Sequence, residues 1–170
     1  MIYADTSLLL PVYVPESNSE LANRVVQGSE ELLISDLTVA EFLVGLARKV
    51  KLGVLSQEVA TRVQGAFEQH LAEGYLRRVA VVSSHSEDAG RLAALSPVIL
   101  RTLDAIHLAV AVEHQATMAT LDGRLAEAAR AQGVKVVPES PSENQGLPGA
   151  GTPADDSADV PVAPQDSPTT

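Results

Sequence analysis

The chain of 170 residues contains no cysteine and no tryptophan, and only 3% of its residues are aromatic. Without cysteine it has no disulfide framework, no thiolate nucleophile and no cysteine-ligated zinc. Because 45% of the residues are nonetheless hydrophobic, we expect a sizeable core of aliphatic side chains. No uncharged apolar stretch reaches the ~18 residues of a membrane-spanning helix, and no cationic segment precedes an apolar run as in a signal peptide. These absences predict a soluble cytoplasmic protein.

Cations are also scarce, since 12 Lys and Arg residues stand against 22 Asp and Glu, a net charge of −10. That excess argues against a free-standing duplex-binding protein, because cations that face phosphates supply most of such affinity. It argues equally against a polybasic membrane-surface protein. The charge is uneven: residues 1–138 carry every cation and 16 acids, whereas residues 139–170 carry six acids and no cation. The question is then whether any acid of residues 1–138, which we call the body of the chain, has a catalytic or metal-binding role.

The last 32 residues differ in composition from the rest of the chain. They include six prolines, three glycines and seven Ser or Thr residues, but only three large aliphatic side chains. Such a segment cannot bury enough apolar surface to offset its ordering entropy. We therefore predict one domain over residues 1–138 and a disordered, acidic, proline-rich tail over residues 139–170.

Short apolar runs alternate with helix-like segments along residues 1–138. Runs typical of strands are Met1–Ala4, Leu32–Ser35, Val79–Val82, Thr117–Leu121 and Val134–Val137. Between them apolar residues recur at steps of three and four, as in the helices predicted from Leu37 to Gly53 and from Ser56 to Gly74. This alternation predicts a three-layer α/β/α domain with a mainly parallel central sheet.

Four carboxylates stand where a strand or loop gives way to a predicted helix, namely Asp5, Glu41, Asp104 and Asp122. In a parallel α/β sheet the carboxyl ends of the strands and the helix N-termini share one edge, where ligands bind. Acids far apart in sequence therefore converge there. Hard oxygen ligands of this kind suit Mg²⁺ or Mn²⁺. Such ions activate water and stabilise the leaving oxygen in phosphodiester cleavage.

Taken singly, each acid also has an ordinary structural interpretation. Thr38 and Glu41 have the spacing of a capping box. Asp104 would complement a helix dipole from the first turn, Asp122 is a candidate N-cap, and Asp5 would end a strand in a turn. Context favours a functional role for the set, because Asp5 follows a strand expected to be central. Asp104 is surrounded in sequence by apolar residues, where an unpaired carboxylate is costly.

The segments around the four acids have a recognisable order. They are Ile-Tyr-Ala-Asp5-Thr-Ser-Leu-Leu, Thr-Val-Ala-Glu41-Phe, Leu-Arg-Thr-Leu-Asp104-Ala-Ile-His-Leu-Ala and Ala-Thr-Leu-Asp122-Gly-Arg-Leu-Ala-Glu-Ala-Ala-Arg. In that order they resemble the four acidic motifs of the PIN domain, and the Asp104 segment is the most specific of them. The body as a whole is similar to a VapC-type ribonuclease toxin of a bacterial toxin–antitoxin pair. The resemblance covers about residues 1–138 and none of the tail.

The resemblance implies a metal-dependent endoribonuclease. In it, Asp5 and Asp104 hold a divalent ion, Mg²⁺ or Mn²⁺, while Glu41 and Asp122 complete the acidic pocket. Implied partners are an RNA substrate, a cognate antitoxin and a second copy of the chain in a homodimer, with no membrane. The acids also admit other functions. One alternative is a non-catalytic interaction module on the PIN fold. Another is an aspartyl-phosphate phosphatase with Asp5 as nucleophile, although Ser7 stands where such enzymes usually have a second Asp.

Smaller and basic side chains accompany the acids. By resemblance, Ser7 matches a small polar position that supports the site, and Thr120 would do likewise. Two basic clusters, Arg48-Lys49-Val-Lys51 and Arg77-Arg78, would guide an RNA backbone. As an ordinary alternative they are a solvated helix end and strand start. The two interpretations remain open at this point.

Among the four histidines, His107 lies three residues after Asp104 and near the same helical face. Packing with a hydrogen bond to a neighbour is the favoured role for it, and a catalytic role is the alternative. The other three, His70, His85 and His114, lack ligand-like partners in the sequence. A Gly-x-Ser-x-Gly elbow and the glycine-rich nucleotide motifs are all absent, so neither serine catalysis nor a nucleotide cofactor is supported.

Overall fold

The computed structural model describes residues 1–139, so the tail predicted for residues 139–170 lies, apart from Glu139, outside the described residues. Strands and helices follow one another through the described part of the chain. In order they are β1 (Ile2–Ala4), α1 (Thr6–Tyr13), α2 (Ser19–Gln27), β2 (Leu32–Ser35), α3 (Asp36–Lys51), α4 (Gln57–Ala72), β3 (Arg77–Val79), α5 (Ser83–Leu95), α6 (Thr102–Glu113), β4 (Thr117–Ala119), α7 (Gly123–Ala131) and β5 (Val136–Val137). Within residues 1–139, none of the helices has the length and apolar character needed to cross a membrane.

The strands of residues 1–139 form one sheet with β1 at its centre. Their order is β3-β2-β1-β4-β5, and every pairing between them is parallel. Tyr3 of β1 pairs with Leu33 of β2 on one side and with Met118 of β4 on the other. The central position predicted for the strand before Asp5 is thus confirmed. Since all strands run the same way, their carboxyl ends lie along one edge of the sheet.

Alternate residues of the strands belong to different helix layers, because successive side chains of a strand point to opposite faces. Ile2 and Ala4 share a core cluster with residues of α1 to α4, whereas Tyr3 shares one with residues of α6 and α7. The first cluster includes Phe42 and Phe67, whose stacked ring centroids lie 4.2 Å apart. The three-layer α/β/α arrangement with a parallel sheet is confirmed.

The helix ends follow local signals that are legible in the sequence. Gly53 and Gly74 come two residues after the last residues of α3 and α4 and adopt φ values of 70° and 79°, the left-handed conformation that glycine adopts without strain. Ser56 caps the start of α4, where its side chain accepts a hydrogen bond from the backbone N–H of Val59 at 3.2 Å. The stops and starts predicted for these two helices are confirmed to within a residue or two.

The third strand differs from its prediction. A buried strand is expected at Val79–Val82, but β3 covers Arg77–Val79, lies at the edge of the sheet and is largely exposed. The Val79–Val82 run instead leaves the sheet after its first residue, and Val82 is the N-cap of α5. An edge strand tolerates charged side chains, which also discourage pairing with another sheet. Apolar character alone therefore located this strand two residues too late.

Candidate active site

All four predicted acids line one cavity of about 530 Å³. The cavity lies at the carboxyl edge of the sheet, because Asp5 directly follows β1 and Asp122 follows β4 closely. The other two reach it from helices: Glu41 from the second turn of α3, and Asp104 from the first turn of α6. Residues separated by up to 117 positions in the chain are thus brought to a common space.

Asp5 lies at the bottom of this cavity and is only 5% exposed. Its Oδ2 accepts a hydrogen bond from the Thr120 hydroxyl at 2.8 Å, and its Oδ1 accepts one from the backbone N–H of Leu8 at 3.1 Å. The Ser7 hydroxyl lies 2.8 and 2.9 Å from the two carboxylate oxygens. Burial raises the pKa of Asp5 above its ordinary value, although His107 and these hydrogen bonds oppose the rise. Ser7 and Thr120 therefore both hold Asp5 in place.

Glu41 is bound through one oxygen from two sides of the cavity. Its Oε2 accepts hydrogen bonds from the Thr6 hydroxyl at 2.7 Å and from His107 Nε2 at 2.8 Å. Burial by itself would raise the pKa of Glu41, but these hydrogen bonds and the charge of His107 outweigh it. The net effect is a lowered pKa, so Glu41 stays ionised near neutral pH.

The capping-box interpretation of Thr38 and Glu41 is wrong. The N-cap of α3 is Ser35, whose hydroxyl accepts a hydrogen bond from the backbone N–H of Thr38, while the Thr38 hydroxyl accepts one from the N–H of Ser35, each at 3.3 Å. The box is therefore complete three residues earlier than the sequence suggests. Glu41 therefore does not cap the N-terminus of α3, and it lines the cavity instead.

Asp104 and Asp122 interact electrostatically across the cavity. Burial raises the pKa of Asp104, and the negative charge of Asp122 raises it further, against smaller opposing effects of Arg101 and His107. Asp122 is the N-cap of α7, as predicted, and its Oδ1 accepts hydrogen bonds from the N–H groups of Arg124 and Leu125 at 2.8 and 3.1 Å. It lines the cavity and caps a helix at once, so the two interpretations of Asp122 are compatible.

The four acids surround a common space without forming a compact ligand cluster. Within residues 1–139, no group of three or more His, Asp and Glu side chains is close enough to hold a metal ion. Oε2 of Glu41 and Oδ1 of Asp122 are each engaged by two protein donors. The chemistry of the donors nevertheless fits a hard divalent cation. Burial raises the pKa of both Asp5 and Asp104, and a bound cation would favour their ionised forms.

The basic clusters occupy different positions relative to the cavity. Arg77 and Arg78 form ion pairs with Glu31 and Asp36, on the edge strand, and Lys49 pairs with a glutamate of the loop after α1. Of the two clusters, Arg48 is the member that lines the cavity. It lies seven residues, two helical turns, after Glu41 on α3, so the two side chains share a helix face. That periodicity distinguishes Arg48 from its neighbours and is visible in the sequence.

Two side chains of the site were not predicted to belong to it. Thr6 directly follows Asp5, and its hydroxyl contacts Glu41 rather than Asp5. His107 was expected to form a hydrogen bond to a neighbour, and this is confirmed by its contacts with Glu41 and Tyr3. Spacing along α6 places His107 near Asp104, but the identity of its partners depends on other elements. No local signal indicates them.

Comparison with known proteins bears on the family and the fold of the chain. The family model of the PIN domain matches residues 2–131, and no curated protein matches the chain. Among solved structures, the chain is similar to the sarcin–ricin-loop-cleaving toxin VapC20 of Mycobacterium tuberculosis, with a TM-score of 0.60, 16% identity, and coverage of 74% of this chain and 93% of that one. It is also similar to FitAcB of Neisseria gonorrhoeae, with a TM-score of 0.64, 21% identity and coverage of 80% and 96%. A toxin–antitoxin complex from Klebsiella pneumoniae gives a TM-score of 0.59, 18% identity and coverage of 81% and 96%. At these identities the solved structures support the fold.

Proposed function

The chain belongs to the PIN domain family, and from that premise we propose that it is a metal-dependent endoribonuclease, the toxin of a toxin–antitoxin pair. The observation that carries the proposal is the cavity lined by all four acids at the carboxyl edge of the sheet. The acids match the family motifs in order, and a family member of similar fold is a toxin that cleaves the sarcin–ricin loop. These findings support nuclease chemistry, and the metal and the RNA substrate are parts of the proposal.

Asp5 and Asp104 are the residues that would hold the divalent cation, Mg²⁺ or Mn²⁺. When bound, such an ion supplies positive charge that activates water and stabilises the leaving oxygen of a phosphodiester. Ser7 and Thr120 orient the carboxylate of Asp5 through their hydroxyl groups. Asp122 adds negative charge beside Asp104, which strengthens attraction for a cation.

Glu41 has a different role in this proposal. Its lowered pKa keeps the carboxylate ionised, and Thr6 and His107 both donate to the same oxygen, Oε2. The other oxygen, Oε1, is then available to accept a proton from the attacking water. No covalent protein–substrate intermediate is required, which distinguishes this mechanism from that of an aspartyl-phosphate phosphatase.

RNA would approach along the face of α3 that borders the cavity. This face presents Leu37, Val44 and Arg48, and Leu103 of α6 stands across from it. Val44 is 67% exposed and Leu103 46% exposed, so both are accessible to unstacked bases. Arg48 would contact a phosphate that flanks the scissile one, since Glu41 and Arg48 are about 10 Å apart at 1.5 Å per residue. A single strand is therefore the form of RNA that suits this surface.

We also propose a cognate antitoxin partner, by analogy with the toxin–antitoxin complex of similar fold. A homodimer and a cytoplasmic location remain parts of the same proposal. The experiment for the function is cleavage of RNA by the purified full-length chain with Mg²⁺ or Mn²⁺, with sequencing of the RNA ends. Cleavage is expected to stop on chelation of the metal.

Matched variants test the acids themselves. Asp5→Asn and Asp104→Asn are expected to remove cleavage while circular dichroism shows a retained fold. Asp88→Asn is the control, because Asp88 is an exposed acid of α5 that pairs with Arg91 and does not line the cavity. Full activity in the two folded cavity variants would refute the proposal. Absence of both cleavage and calorimetric metal binding in the wild type would favour the interaction module instead.

A further inference from the structure

A line of buried hydrogen bonds connects the centre of the sheet to Glu41. The Tyr3 side chain on β1 is fully buried, and its hydroxyl lies 2.8 Å from Ser35 Oγ and 2.6 Å from His107 Nδ1. On the other side of the imidazole, His107 Nε2 lies 2.8 Å from Glu41 Oε2. The line therefore runs Ser35, Tyr3, His107, Glu41 and joins residues of β2, β1, α6 and α3.

The contact with Glu41 determines that Nε2 of His107 carries a proton. Glu41 is ionised and has only lone pairs to offer, so a bare Nε2 at 2.8 Å would place two acceptors against each other. Nε2 must therefore donate, both in the neutral ring and in the imidazolium. When the ring is neutral, the Tyr3 hydroxyl donates to Nδ1, and the buried phenol remains protonated because burial raises its pKa.

The hydroxyl groups beyond Tyr3 accommodate the imidazolium as well. Nδ1–H then donates to Tyr3, Tyr3 to Ser35, and Ser35 to the Thr38 hydroxyl at 3.3 Å. The Thr38 hydroxyl donates in turn to the carbonyl of Ala4, also at 3.3 Å. Every link has a donor and an acceptor in either direction, and no buried side-chain nitrogen or oxygen of residues 1–139 lacks a partner.

His107 is too enclosed to act on a substrate directly. Its side chain is only 2% exposed, and both ring nitrogens are engaged by Tyr3 and Glu41. Glu41 by contrast is 28% exposed and borders the cavity. A glutamate has three rotatable side-chain bonds, and two donors on one oxygen restrict them. The imidazole of His107 is itself held from its other side by the hydroxyl of Tyr3 on β1.

We propose that His107 is a positioning residue for Glu41, and that Tyr3 and Ser35 hold its imidazole so that Nε2–H keeps the carboxylate directed at the cavity. This inference rests on the proposed ribonuclease function, in which Glu41 accepts the proton. It assigns to the buried network an effect on the chemical step rather than on substrate binding. A substitution of His107 should accordingly lower kcat and leave KM nearly unchanged.

The test is a double-mutant cycle on RNA cleavage by the full-length chain. His107→Leu is expected to lower kcat at least tenfold, with KM within about twofold of wild type. His107→Gln keeps an N–H donor on the side chain and should recover most of that loss. In the Glu41→Asp background, whose shorter side chain is beyond the reach of Nε2–H, His107→Leu should cost less than about threefold.

A second buried histidine supplies the matched control. His85 on α5 is 2% exposed, and it contacts Glu113 and the backbone N–H of Val82 without lining the cavity. His85→Leu and His85→Gln should lower thermal stability as the His107 variants do, but leave kcat unchanged. Unchanged kcat in folded His107→Leu, or an equal loss in the wild-type and Glu41→Asp backgrounds, would overturn the inference.

A spectroscopic measurement covers the case in which His107→Leu does not fold. In the wild-type protein, nitrogen-15 NMR of the imidazole should show a protonated Nε2 that is protected from solvent exchange. Tyr3→Phe removes one hydroxyl group and should accelerate that exchange and lower kcat. An unprotonated Nε2 in the wild type would overturn the inference. Failure of the wild type to cleave any RNA would instead overturn the proposed function, so the two failures are distinguishable.

Discussion

Thr120→Val tests whether the hydroxyl groups around Asp5 stabilise its charge. The substitution keeps the shape of a side chain that is 3% exposed and removes one hydrogen bond of 2.8 Å to Asp5 Oδ2. It also removes the acceptor for the backbone N–H of Asp122, which lies 3.0 Å from the Thr120 hydroxyl. A hydrogen bond to a charged group contributes about 1.5–3 kcal/mol. We expect the free energy of unfolding to fall by about 2 kcal/mol at neutral pH.

The loss should depend on pH in a defined direction. Because the pKa of Asp5 is raised in the folded protein, its ionisation costs stability as the pH rises from the unfolded value of about 4. Loss of the Thr120 donor raises the folded pKa further and enlarges that cost. The difference between wild type and variant should therefore be largest near pH 7 and shrink towards about 1 kcal/mol near pH 4, where the hydrogen bond joins neutral groups.

Urea denaturation in the presence of a chelator, at both pH values, measures the difference. Thr61→Val is the matched control, since Thr61 is exposed on α4 and its hydroxyl donates to the carbonyl of Gln57. That substitution should change stability by less than about 0.5 kcal/mol at either pH. A Thr120→Val variant as stable as wild type, or a loss that is equal at both pH values, would refute the reasoning.

Three further predictions concern Arg48 at the cavity, Phe67 in the core and the partly buried Tyr13. In a filter-binding titration, Arg48→Gln should weaken RNA binding and reduce the slope of log affinity against log salt by about 0.7, the contribution of one phosphate on a single strand. Lys49→Gln is the control and should leave the slope unchanged, because Lys49 is already ion-paired. Phe67→Ala removes a ring that is 1% exposed and should cost about 3–5 kcal/mol in chemical denaturation; Val44→Ala, on the exposed face of α3, should cost little, and equal losses would contradict the assigned core. Burial raises the pKa of Tyr13 to about 12, so its protonated form stabilises the fold fully below about pH 10, and that stabilisation is lost as the pH rises to 12. Alkaline denaturation should show that component in the wild type and not in Tyr13→Phe, and identical profiles would contradict the assignment.

Local signals in the sequence account for much of the fold. Helix ends depend on residues within one turn of the end, so Gly53, Gly74 and the N-cap Asp122 were recognisable without knowledge of any contact. Strand positions were predictable where both faces of a strand are buried and apolar, as in β1 and β2. The error at β3 arose because an edge strand is exposed, and there the charged residues Arg77 and Arg78 belong to the strand.

Convergence of the acids was predictable from topology, and their contacts were not. A parallel sheet brings all strand ends to one edge, so Asp5 and Asp122 line the same cavity because β1 and β4 are neighbours. The role of Glu41 was harder to predict, because its spacing from Thr38 favoured a capping box, whereas the capping box of α3 is formed by Ser35 and Thr38. Two overlapping local patterns competed, and the choice between them depended on the donors that reach Glu41 from α1 and α6.

The amino-acid sequence by itself determined the order of the strands and helices along the chain, the ends of α3 and α4 to within a residue or two, and the four acids of the PIN motifs. Only the tertiary structure decided that His107 bonds Glu41, 66 residues away, and Tyr3, 104 residues away. The physical reason is the distance along the chain between the interacting residues. Caps and turns are satisfied within a few residues, whereas the partner of a buried side chain depends on which strands and helices pack together. The acidic residues that give the chain its net negative charge can be identified from the sequence alone. The cavity that four of them line is a product of packing.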